Sequence, residues 1–129
     1  GLNITVPHEQ SGNKWLTPEL YMEFHYFFMR KFWMAYLAKA LVVFPGGFGT
    51  LDELMEILTL IQTKKIKKSI PIVLYGKNFW NNTINWEYLI KAGTVSKKDL
   101  DLFTICDSVE DAFTFLTTKI TGTHTGPNF

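Results

Sequence analysis

The stretch that most constrains the chain is Pro45-Gly46-Gly47-Phe48-Gly49-Thr50-Leu51-Asp52-Glu53, which follows the apolar run Leu41-Val42-Val43-Phe44 and opens a helical pattern. A strand feeding a glycine-rich turn into a helix places bare backbone beside the helix start. There the N–H groups of the first turn and the macrodipole, about half a positive charge, favour an anion such as phosphate. A structural reading competes, because Thr50 and Glu53 stand at the spacing of a capping box. Three glycines in four positions ask for more than a cap, since each costs up to roughly 1 kcal/mol in chain entropy unless something lies against the backbone.

The rest of the chain reads as alternating strands and helices. Gly1 to Val6 is a short strand ending at Pro7, and the polar loop His8-Glu9-Gln10-Ser11-Gly12-Asn13 hangs from its carboxyl end. In doubly wound sheets such loops line the ligand crevice, which makes His8, Glu9 and Gln10 candidates for substrate contact, against an ordinary surface loop. Thr17-Pro18-Glu19 has the signature of a helix start, and the expected helix runs to about Lys39. Its aromatic residues cover nearly every face, so burial on more than one side is expected, by a sheet and by a second copy of the chain. Arg30 and Lys31 fall within this apolar surround, where a charge needs a carboxylate, a phosphate or an escape to solvent.

Beyond the glycine loop, a helix is expected from Leu51 to about Thr63, with Leu54, Met55, Leu58 and Ile57 or Ile61 inward. Ile70 to Gly76 is a continuous apolar run, the mark of a strand covered on both faces. Trp80 to Ala92 reads as a helix closed by Gly93, and Ser96 to Leu100 as one capped turn. Leu102 to Cys106 is the last strand, and Ser108 opens a last helix that ends near Ile120. Such alternation implies parallel βαβ units in an α/β, Rossmann-like doubly wound sheet. Residues 1–120 form the expected single domain, and 121–129 a flexible tail.

With Pro45, Gly46, Gly47, Gly49, Thr50 and Glu53 in place and Arg30-Lys31 upstream, the chain resembles the LONELY GUY family of cytokinin riboside 5′-monophosphate phosphoribohydrolases, many of which carry an older lysine-decarboxylase label. It departs from the plant-type pattern around Phe27-Phe28-Met29-Arg30-Lys31-Phe32-Trp33, which points to a different subgroup. The resemblance implies a Rossmann-like sheet with further strands before Gly1, so the chain is expected to be the later part of a larger domain. It also implies hydrolysis of the N-glycosidic bond of a nucleoside 5′-monophosphate, with no metal or redox cofactor. Gly46, Gly47, Gly49 and Thr50 would hold the 5′-phosphate, Lys31 would assist binding, and Arg30 and Glu53 would act at the ribose. A non-catalytic nucleotide-binding or carrier module is the alternative, because such cradles serve binding as readily as chemistry. A purely structural interaction protein is the third reading. Lysine decarboxylation is set aside, since it needs pyridoxal phosphate on a Schiff-base lysine in a dedicated pocket, which nothing in the sequence marks.

Composition narrows the classes. Thirteen Lys and Arg against twelve Asp and Glu give a net charge of +1, so no large field draws nucleic acid or an anionic membrane. The basic run Lys64-Lys65-Lys67-Lys68 reads as a solvated helix end. The lone Cys106 fits a reducing, cytoplasmic setting, and the scattered His8, His25 and His124 show no metal-ligand spacing. No segment has the length and uniformity of a membrane span. The aromatic surplus leads us to expect a homodimer or larger homo-oligomer.

Overall fold

The structure is a computed structural model that describes residues 1–7, 13–120 and 127–128. The chain divides into two compact units, Gly1–Leu37 and Ala38–Phe129.

In the first unit, strand β1 (Leu2–Ile4) pairs in parallel with β2 (Met22–Phe24), with Asn3 opposite Glu23. Helix α1 (Phe27–Tyr36) follows and packs on both strands. The continuous helix expected from Thr17 to Lys39 is therefore not formed. Pro18 does open a helical turn, but a 3-10 turn of three residues, Pro18–Leu20, with no side-chain bond from Thr17. Tyr21 and Tyr26 are extended, and the segment between them is recruited by β1. Aromatic residues suit a pleated, half-buried surface as well as a helix, so the available partner strand decides the outcome. Phe27, Phe28, Phe32 and Trp33 of α1 remain exposed.

The second unit is a parallel sheet in the order β3 (Leu41–Val43), β4 (Ile72–Tyr75), β5 (Phe103–Cys106). Leu41 stands opposite Ile72, and Ile72 opposite Phe103. Side chains alternate between the two faces of a strand. Ile72 and Leu74 accordingly join Val43, Leu54 and Trp80 in the larger core, while Val73 joins Cys106 and Ala112 in the smaller one. Helix α2 (Phe48–Gln62) contributes Leu54 to the first core and α3 (Lys77–Thr83) contributes Trp80, whose indole N–H donates to the Tyr75 carbonyl at 3.0 Å. Helix α5 (Val109–Lys119) covers the other face through Ala112, Phe115 and Leu116. Helices on both faces of a parallel sheet make this a Rossmann-like α/β fold. Cys106 is buried, and that desolvation, followed by the charges of Asp111 and Asp107, raises its thiol above the ordinary range.

Helix ends account for most of the local departures. The expected helix from Trp80 to Ala92 is two helices, α3 and α4 (Trp86–Lys91), because the Asn85 side chain accepts the Tyr88 N–H at 2.9 Å and starts a new one. Gly93, with φ 74°, closes α4 as expected: its N–H reaches Ile90 O at 3.0 Å and that of Thr94 reaches Leu89 O at 3.1 Å. Ser96 and Asp99 form the expected capping box at the head of a 3-10 turn, Lys97–Leu102. The bonds from the Ser96 backbone and side chain, with that from Gln62, hold the Asp99 carboxyl below its usual range. Met55, expected inward, is 38% exposed, whereas Leu54 is fully buried. Of the tail 121–129, only Pro127 and Asn128 are described, and the buried Asn128 amide donates to Ala38 O at 2.8 Å.

Helix α2 ends without a glycine. Lys64 takes the left-handed position, φ 59°, with its N–H on Ile61 O at 3.0 Å. A Cβ in that region costs free energy that glycine avoids, partly offset by the looser unfolded chain. Lys64→Gly is expected to stabilise the fold by about 0.5 to 1 kcal/mol, read as a higher midpoint in urea denaturation; a lower midpoint would show that the lysine side chain contributes more than its backbone costs.

Candidate functional site

All three strands of the second unit end at one edge, and the loops that leave them are tied together there. Pro45 follows β3, and a Cβ on Gly76, which follows β4 with φ 101°, would come within 3.3 Å of its ring. The Gly76 N–H donates to Cys106 O at 2.8 Å, and the Lys77 N–H to Asp107 Oδ1 at 2.6 Å. The glycine loop thus rests on a fixed floor at the carboxyl ends of parallel strands, where open α/β sheets bind their ligands. Gly76 and Asp107 escaped the sequence reading. The available signal was their place directly after two apolar strands.

The loop enters α2 earlier than the pattern suggested. Gly47 is the N-cap and Phe48 the first helical residue, so Thr50 is third and Glu53 sixth. A capping box needs the cap and the third position, so Thr50 and Glu53 do not form the one at the head of this helix. The first bond from the cap is Leu51 N–H to Gly47 O at 3.1 Å, so helix geometry gives the N–H groups of Phe48, Gly49 and Thr50 no intrahelical acceptor. Thr50 and Glu53 are three apart and share a face, as do Gly49 and Glu53, and helical side chains lean toward the N-terminus. Glu53 is half-buried, and helix geometry at its position favours a side chain leaning toward the glycine turn.

The glycines divide into two kinds. A Cβ at Gly46 would collide with the Thr50 hydroxyl and lie 2.8 Å from its Cβ, so Gly46 is needed for the turn to pack on its own helix. Gly47 and Gly49 would meet nothing within 4 Å, and neither has a positive φ. Among the described residues, neither the backbone conformation nor a neighbouring atom requires glycine there. Gly49 even lowers helix stability, by up to roughly 1 kcal/mol relative to alanine.

Arg30 and Lys31 belong to the first unit, where both are half-buried on α1. The Arg30 guanidinium carbon lies 5.7 Å from the centroid of the Phe27 ring, a cation–π arrangement. His8 and Glu9, with Gln10, lie outside the described residues. Among the described residues no cluster of three His, Cys, Asp or Glu side chains is placed to hold a metal, and no helix is long and apolar enough to cross a membrane.

Fold and loop together define a Rossmann-like protein with an open glycine turn and a helix start at the carboxyl edge of its sheet. The family described as "Possible lysine decarboxylase" matches residues 1–116, and the chain belongs to that family. It is similar to the rice (Oryza sativa subsp. japonica) "Probable cytokinin riboside 5'-monophosphate phosphoribohydrolase LOG4", 27% identical over 113 residues, 87% of this chain and 47% of the relative. It is also 43% identical over 44 residues, 34% of this chain and 18% of the relative, to the rice "Cytokinin riboside 5'-monophosphate phosphoribohydrolase LOG". The LONELY GUY resemblance read from the glycine motif therefore holds. The chain spans less than half the length of these curated relatives.

The two kinds of glycine separate under substitution. Gly46→Ala is expected to lower the melting temperature, because Thr50 must move. Gly49→Ala should leave it unchanged or raise it, and Gly47→Ala should lower it slightly by replacing a favoured N-cap residue; both are expected to weaken phosphate binding measured by calorimetry at least tenfold. Unchanged phosphate affinity in both would remove the cradle from this loop.

Proposed function

We propose that the protein is a nucleoside 5′-monophosphate phosphoribohydrolase, which cleaves the N-glycosidic bond to release the base and ribose 5-phosphate. The observation that carries this reading is the pair Gly47 and Gly49, glycines that face open space beside the N–H groups of a helix start. A ligand that must approach the backbone accounts for them, and the anion favoured at that place is phosphate. The names of the rice relatives support the same reaction class, with a cytokinin nucleotide as their substrate.

In this reading the backbone of Gly46, Gly47 and Gly49, with the Thr50 hydroxyl, holds the 5′-phosphate, and Lys31 adds charge to its binding. Breaking the C–N bond leaves the electron pair on the departing base and positive charge on the sugar. Glu53, leaning toward the cradle, stabilises that charge and takes a proton from the attacking water, whose oxygen bonds to the sugar carbon while a proton from solvent neutralises the departing base. By the resemblance to the LONELY GUY family, Arg30 would act at the ribose. The whole sequence of bond changes is a hydrolysis, so no redox partner enters.

The test is a panel of nucleoside monophosphates, with free base followed by chromatography, applied to the parent and to Glu53→Gln. Because Glu53 lies outside the cap, the amide is expected to leave the melting temperature almost unchanged while turnover falls about 10²-fold or more. Equal turnover in the two proteins would contradict a catalytic Glu53. A parent that binds these nucleotides without cleaving them would be a nucleotide-binding or carrier module instead.

A further inference from the structure

Phe44 is the last residue before the glycine loop, immediately after β3. Val43 faces the core made by Leu54, Ile72, Leu74 and Trp80, so strand alternation turns Phe44 to the opposite side of the sheet. Its ring meets Tyr75 at the end of β4, with centroids 5.2 Å apart and planes tilted by 44°. Tyr75 in turn packs against the cluster of Val73, Cys106 and Ala112. The Phe44 ring is thus braced by the core on one side, while 59% of the residue stays exposed. A large apolar ring, braced and open, thus stands three positions before Gly47, the first of the two open glycines.

A base stacked on such a ring would be held by its π face, a property that all nucleobases share. Recognition of this kind tolerates the identity of the base and favours larger rings only moderately. We propose that Phe44, braced by Tyr75, is the stacking platform for the nucleobase of the substrate, so the site takes purine and pyrimidine 5′-monophosphates alike. This inference rests on the phosphoribohydrolase reading above. It assigns the base subsite and its breadth, whereas the glycine loop assigns the phosphate.

The test measures KM and kcat of the purified protein for AMP, GMP, CMP and UMP, together with inhibition by ribose 5-phosphate, which has the phosphate and sugar but no base. Phe44→Leu keeps an apolar side chain of similar reach and removes the π face; Phe44→Tyr restores it. The expected result is a KM raised about tenfold to a hundredfold for all four nucleotides in Phe44→Leu, the scale of one lost base–aromatic stack. Inhibition by ribose 5-phosphate should be unchanged, and Phe44→Tyr should behave as the parent. An unchanged KM in Phe44→Leu would overturn the platform and leave the phosphoribohydrolase standing. Equal weakening of nucleotide and ribose 5-phosphate would also overturn it, by assigning Phe44 to the shape of the loop. A parent that cleaves only one base would refute the predicted breadth, and one that neither binds nor cleaves any nucleotide would bring down the proposed function together with this inference.

Discussion

Burial of β4 on both faces is the interaction on which the second unit depends. Ile72, Val73 and Leu74 are each fully buried, with the first and third packed toward α2 and α3 and the second toward α5. Each such side chain stabilises the fold by about 1.5 to 3 kcal/mol through area removed from water. Shifting the register by one residue would exchange the faces and break both cores. The pairing of β4 with β3 and β5 is therefore fixed, and with it the place where three loops leave the sheet. The contacts of Gly76 with Pro45 and Cys106, and of Lys77 with Asp107, are the consequence at that edge.

That fixed edge gives the glycine loop its meaning. Gly46 is explained by contact with Thr50, but at Gly47 and Gly49 no atom of the described residues would meet a Cβ within 4 Å. Glycine at two open positions, one of them inside the first helical turn where alanine is the better helix former, makes sense when a ligand contacts the backbone there. The chain belongs to the "Possible lysine decarboxylase" family, and the rice relatives are named for hydrolysis of a nucleoside 5′-monophosphate. The loop itself provides N–H groups and a carboxylate, a set suited to binding an anion and meeting a cationic transition state beside it.

The sequence was most legible where one physical rule acted alone. Ile72 to Tyr75 is apolar without alternation because both faces are covered, and Gly93 ends α4 because the left-handed position favours glycine. Ser108 caps α5 through the Asp111 N–H at 3.0 Å, as its side chain suggests. The reading failed where two rules competed. The aromatic segment from Tyr21 to Tyr26 shows no clean helical stripe, and its pairing with β1 is a contact between distant residues that no local pattern reveals. Thr50 and Glu53 had the spacing of a cap, yet the helix begins at Gly47, which can start one without a side-chain bond. This correction strengthens the functional reading, because it removes the structural role that the spacing had offered for Glu53. Phe44 and Tyr75 were legible only as strand residues; their pairing across β3 and β4 depends on the register.

The central claim is that the start of α2 binds the 5′-phosphate through its backbone. Titrating the ¹⁵N-labelled protein with ribose 5-phosphate tests it directly, with each backbone amide as its own probe. The account predicts saturable downfield shifts concentrated on the N–H groups of Phe48, Gly49 and Thr50, reproduced by inorganic phosphate at higher concentration. Saturable shifts centred elsewhere, with these three amides unmoved, would contradict it.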